Sequence, residues 1–139
     1  MSDKPTPSEP KPAATILLLR DGSAGMEVFM VVRHHQIDFA SGALVFPGGK
    51  ADPQDFDGAL IPFLHGANAT TDMRAAQVSA IREAFEECGI LLARAQNSAD
   101  IISGERLATL QEFREPMNKG DISLLDFLKQ QQLQLACDQ

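Results

Sequence analysis

Arg82-Glu83-Ala84-Phe85-Glu86-Glu87-Cys88-Gly89-Ile90 is the most ordered stretch of the sequence, an apolar and acidic pattern closed by a glycine. Extended backwards, Val78, Ile81, Phe85 and Cys88 recur at steps of three, four and three, which places them on one face of a helix over residues 73–88. Thr71 or Asp72 can cap its start, and Gly89 stands where a left-handed residue ends a helix. Glu83, Glu86 and Glu87 leave from the opposite face, because spacings of three and four return to the same side. Like charges so placed cost about a few tenths of a kcal/mol per pair, and carboxylates in the last turn oppose the helix dipole by roughly 0.3–1 kcal/mol each. A hard divalent cation, Mg²⁺ or Mn²⁺, reverses both penalties, since it prefers oxygen ligands. A solvated acidic face, with Arg82 as a simple ion-pair partner, is the alternative that the helix alone leaves open.

Upstream, residues 14–20 (ATILLLR) and 26–33 (MEVFMVVR) flank a Gly-rich turn and read as a hairpin. A third strand, residues 43–46 (ALVF), runs into Pro47-Gly48-Gly49, where the composition predicts no regular element. Residues 50–72 are punctuated by Pro53, Gly58, Pro62, Gly66 and Asn68 and read as a long loop with one helical turn. Downstream, residues 90–93 (ILLA) read as a buried strand. Leu107, Leu110 and Phe113 mark a helix ending before Pro116, and residues 122–131 a second helix. The last strand-like run is residues 133–137 (LQLAC).

The 139 residues hold 19 Asp+Glu against 12 Lys+Arg, a net charge of -7, with 44% hydrophobic and 22% charged residues, which suits one soluble domain with a single core. Such acidity argues against a grip on the backbone of a nucleic-acid polymer, so an anionic substrate calls for a bound cation. The longest aliphatic run, residues 13–19, falls far short of the roughly 20 residues of a membrane helix, and no membrane partner is expected. Residues 1–12 carry four prolines and no apolar segment, and read as a disordered tail ahead of a domain over 13–139. Cys88 and Cys137 are too few and too far apart for a disulfide framework or a zinc cluster, and they suit the reducing cytoplasm.

Phe46-Pro47-Gly48-Gly49-Lys50 followed by Arg82 to Ile90 resembles the box of the Nudix hydrolases, whose closing core R-E-U-x-E-E-x-G-U is matched position by position, with Ala84 in the first apolar place. Counting from Gly49 puts Asp55 at the acidic position of the box. In the usual box seven residues separate that position from the arginine, whereas here 26 do. The likeness is therefore to the subgroup with a long insertion in the box, which includes coenzyme A and acyl-coenzyme A diphosphatase-like members. It implies an α/β fold, a Nudix-type α/β/α sandwich with a mixed sheet, and metal-dependent hydrolysis of a diphosphate in a nucleoside diphosphate-X compound. It also implies roles: Glu86 and Glu87 as main ligands of Mg²⁺ or Mn²⁺, with the Gly49 backbone completing the set. Glu83 becomes a further ligand or water-orienting base, and Arg82 the group that holds a glutamate in its rotamer. Lys50 and Arg33 are candidates for contact with substrate, Lys50 being equally well explained as a solvated loop residue. The competing reading is a catalytically weak or inactive Nudix-like binding module.

The remaining candidates point to structure. His34 and His35 are neighbours at a strand end and face opposite ways. Cys88 lies on the apolar face and reads as a core residue, as do Phe29, Phe46 and Phe85. Only 50 residues follow Gly89, most of them helical in pattern, whereas the family fold continues with further strands. The expectation is an incomplete domain with weak or absent activity, and with either an exposed sheet edge or pairing with a second copy as a homodimer.

Overall fold

A computed structural model of the chain describes residues 9–32 and 42–139. The two apolar runs of the expected hairpin each break in two, giving β1 (Ala13–Thr15), β2 (Leu19–Gly22), β3 (Gly25–Val28) and β4 (Val31–Val32). They break because their halves have different partners. β2 and β3 form the antiparallel hairpin, closed by Gly22 opposite Gly25, whereas β4 pairs with β5 (Leu44–Val45). Gly25 takes a φ of 123°, which a side chain would resist.

Pro47-Gly48-Gly49 does not end regular structure as the composition predicts. It leads directly into β6 (Gly48–Lys50), antiparallel to β1 with Gly49 opposite Ala14. Proline ahead of the strand takes no donor from this ladder, and its carbonyl accepts the Ile16 N–H at 2.9 Å. The glycines are needed for closeness: a Cβ on Gly48 would stand 2.9 Å from the Thr15 Cα and closer still to the Ala14 carbonyl.

The expected loop over 50–72 is more structured than its punctuation suggests. It holds two 3₁₀ turns, Pro53–Phe56 and Gly58–Phe63, and then β7 (Leu64–His65). Aspartates organise both turns. The Asp52 side chain accepts from the Gln54 N–H while the Asp55 side chain accepts from the Asp52 N–H, a reciprocal cap, and Asp57 caps the second turn through Ala59.

The amphipathic segment is α1 (Thr71–Cys88), ended by Gly89 at φ 73° as its position predicts. Its N-cap is Thr70, not Thr71 or Asp72, and no side chain caps it. The Thr70 N–H instead donates to Asn68, whose own N–H donates to Gln77, each at 2.8 Å. The following strand, β8 (Ala93–Ala95), starts later than predicted, because the Ile90 N–H still closes the helix onto the Ala84 carbonyl and Leu91 turns into the core. Next come α2 (Gly104–Leu110), a 3₁₀ turn (Gln111–Phe113) and α3 (Arg114–Asn118). Pro116 sits in the first turn of α3 rather than beyond a helix end, where its missing N–H costs nothing. The chain then forms α4 (Leu124–Gln131), capped by Ser123, and β9 (Leu133–Ala136).

β9 lies between β7, to which it is parallel, and β8, to which it is antiparallel, so the mixed sheet is present. Residues 133–136 thus form the central strand of this sheet, with β7 and β8 at its edges. Val78, Ile81 and Phe85 of α1 join Leu110, Phe127, Leu128, Leu133 and Leu135 in the core, where Phe85 stacks on Phe127 with centroids 5.5 Å apart. The other flank of α1 meets β1, β6 and the first 3₁₀ turn. Of the predicted core aromatics only Phe85 is buried: Phe29 is exposed and Phe46 half-buried, and Cys88 is half-buried beside the carboxylates. Among the described residues, no helix is long and apolar enough to cross a membrane.

Candidate active site

Arg82 organises the acidic flank of α1. Its side chain is 4% exposed, and its guanidinium donates Nε to Asp55 Oδ1 at 2.8 Å and Nη2 to Asp55 Oδ2 at 3.0 Å. Nη1 donates to Glu86 Oε2 at 2.9 Å and lies 3.3 Å from Glu83 Oε1. One cation thus holds three carboxylates. Burial works against its charge, but Asp55, Glu86 and Glu83 more than compensate and hold the proton above the ordinary arginine range. The insertion does not displace Asp55, because the two 3₁₀ turns fold it compactly and the reciprocal cap aims the carboxylate inward.

Glu83 and Glu86 are half-buried, whereas Glu87 is exposed. Glu83 lies against β6, where a Cβ on Gly49 would stand 2.8 Å from its carboxyl carbon, so the second glycine makes room for this carboxylate. Glu87 stands near the Glu83 carboxylate and the Gly48 backbone. Burial, followed by the neighbouring Glu83, pushes the Glu87 carboxyl up to about 7. The Glu86 carboxyl is also raised, by burial first, with Arg82 opposing. An open cavity of about 1190 Å³ lies alongside, with Glu86, Glu87, Gly48, Gly49, Lys50 and Asn118 on its polar side and Met30, Val31 and Val45 on its apolar side.

Arg82, Glu83, Glu86, Glu87 and Gly49 therefore come together as the sequence suggests. Lys50 joins them through the cavity wall and through its carbonyl, 3.5 Å from Arg82 Nη2. Arg33, with His34 and His35, lies outside the described residues. Among the described residues no group of three or more acidic, histidine or cysteine side chains is set in the geometry to hold a metal ion. Arg82 is paired with Glu83 at 3.3 Å and with Glu86 at 2.9 Å. Sequence reasoning missed Arg114 and Gln111, which bind the carbonyl end of α1 from across the domain. Their partners are main-chain atoms, which leave no trace in residue spacing.

A helix whose carboxylates are packed onto a glycine strand, within a mixed α/β fold, forms an acidic site beside an open cavity. No protein-family model matches the chain. A 92-residue segment is 35% identical to the peroxisomal coenzyme A diphosphatase ndx-8 of Caenorhabditis elegans, covering 65% of this chain and 32% of that protein. The crystal structure of a NUDIX hydrolase from Alicyclobacillus acidocaldarius matches with a TM-score of 0.63 and 27% identity, over 91% of this chain and 57% of that one. The chain spans about a third of the curated relative and just over half of the solved one. By these two likenesses and the assembled box, the chain is similar to Nudix hydrolases, one of them a coenzyme A diphosphatase.

Proposed function

We propose that this chain carries the catalytic box of a metal-dependent pyrophosphohydrolase acting on a nucleoside-linked diphosphate, with coenzyme A or an acyl-coenzyme A as substrate. The observation that supports it best is the buried fork of Arg82 on Asp55, which draws the two ends of an interrupted box together and sets Glu83, Glu86 and Glu87 against Gly48 and Gly49. The donors suit Mg²⁺ or Mn²⁺: hard carboxylate oxygens with the glycine backbone of β6 at hand. Glu86 and Glu87, with the Gly49 backbone, would hold the ion. When bound, it neutralises diphosphate charge and eases formation of a nucleophile from water, which a chain of net charge -7 needs all the more.

The chain's own residues do the rest. Arg82 fixes the rotamer of Glu86, and its pairing with Asp55 keeps that hold rigid. Glu83 orients the attacking water and takes its proton; the water oxygen forms a new P–O bond, the bridging P–O bond breaks, and the two phosphorylated halves leave. Lys50, on the cavity wall, meets a phosphate oxygen. The unpaired thiols Cys88 and Cys137 favour a reducing compartment such as the cytoplasm.

A panel of nucleotide-linked diphosphates, incubated with Mg²⁺ and then Mn²⁺ and resolved by liquid chromatography, tests the reading. It predicts metal-dependent splitting of coenzyme A or its acyl derivatives at the diphosphate, into an adenosine 3′,5′-bisphosphate and a phosphopantetheine. Ligand binding with no product from any member of the panel would replace it with the binding-module reading.

A further inference from the structure

The last turn of a helix presents carbonyls with no partner inside the helix, and it frays more readily than the middle. In α1 that turn also carries Glu86 and Glu87. Three successive carbonyls there accept from one side chain: Arg114 donates Nε to Phe85 O at 3.0 Å, and Nη2 to Glu86 O at 3.3 Å and Glu87 O at 2.9 Å. Beside it, Gln111 donates Nε2 to Gly89 O at 3.0 Å and accepts from Arg114 Nη1 at 3.4 Å. A Cβ on Gly89 would collide with the Gln111 amide oxygen, so the residue that ends the helix also admits the clamp.

We propose that Arg114 is a positioning residue of the site, fixing from α3 the turn of α1 on which Glu86 and Glu87 stand. The proposal rests on the reading of those two glutamates as cation ligands. Three features separate this clamp from ordinary capping. Its charge lies at the negative end of the α1 dipole, where two carboxylates add to the negative potential. Its planar fork spans consecutive carbonyls, which a lysine ammonium or a water cannot do with one rigid group. And on α1 it binds main-chain atoms, so it orders the turn while leaving the carboxylate oxygens of Glu86 and Glu87 to a cation. Arg82 acts differently, since it engages the Glu86 carboxylate itself.

The test is Mn²⁺ binding followed by the electron paramagnetic resonance of the free ion, on the metal-free protein and its variants, each with its thermal midpoint recorded. Residues that orient metal ligands typically change affinity by roughly 10–100-fold. Arg114→Ala is expected to weaken Mn²⁺ binding by about tenfold or more at temperatures where it is fully folded, and Arg114→Lys to recover part of the loss. Lys119→Ala, which removes only the exposed Lys119–Glu115 pair at the other end of α3, should bind as wild type does. If Arg114→Ala does not fold, Arg114→Lys carries the test, with a several-fold weakening expected. A folded Arg114 variant that lowers the thermal midpoint but binds Mn²⁺ like wild type would overturn the proposal and leave the metal site standing. Absence of Mn²⁺ binding by the wild type would overturn the proposal together with the metal reading beneath it.

Discussion

Asp55→Asn is the substitution that most sharply probes how the interrupted box is held together. The Asp55 side chain is 0% exposed and that of Arg82 4%, so their pair lies in the interior. Breaking a buried pair by removing one charge costs about 3–5 kcal/mol. Arg82 keeps Glu86 at 2.9 Å and Glu83 at 3.3 Å, which favours the lower end, about 3 kcal/mol. The amide is no milder than truncation. Asp55 Oδ1 accepts from Arg82 Nε, while Oδ2 accepts from both Arg82 Nη2 and the Asp52 N–H. Either orientation of an asparagine therefore points an NH₂ at a donor. Urea unfolding followed by circular dichroism measures the effect. With a urea slope of about 1–3 kcal/mol per molar, the midpoint should fall by roughly 1–3 M. A fall worth less than about 1 kcal/mol would refute the claim that this pair closes the insertion.

Two further outcomes follow from the same geometry. Gly49→Ala pushes only the mobile end of Glu83, so the fold should survive while metal-dependent turnover drops by about tenfold or more; Gly48→Ala meets the Ala14 and Thr15 backbone and should instead destabilise by roughly 1–3 kcal/mol in thermal melts. Glu87 is an acid whose folded value is raised from 4.5 to about 7, so metal-free stability should decline as pH rises through that window. Its residue is solvent-exposed, so screening trims the effect to about 1 kcal/mol or less. Glu87→Gln should flatten the decline in melts taken without metal, and an unchanged pH profile would contradict the assignment.

The helix, its glycine stop and its carboxylate face were legible because each rests on contacts within a few residues, which periodicity records. β6 was not, because Gly48 and Gly49 read as backbone freedom until β1 is known to pass too close for any side chain. Asp55 was legible as a position but not as a contact. The local sign was present in Asp52-Pro53-Gln54-Asp55, whose two aspartates cap one another and turn a punctuated loop into a fixed one. The apolar pattern of β2 and β3 shows the opposite limit: it forms the predicted hairpin, yet Leu19 and Met26 are 57% and 73% exposed, since alternation records a face and not what covers it. Arg114 had no local sign at all, its partners being carbonyls on a helix far earlier in the chain.

The most direct test of the account is the rate at which the wild-type chain and Glu86→Gln split coenzyme A into an adenosine 3′,5′-bisphosphate and a phosphopantetheine, with Mg²⁺ or Mn²⁺ and with either removed by chelation. The account predicts turnover by the wild type only when metal is present, and a loss of roughly 100-fold or more in the variant while its circular dichroism stays native. Equal rates with and without metal, or a Glu86→Gln protein that turns over as wild type does, would contradict it.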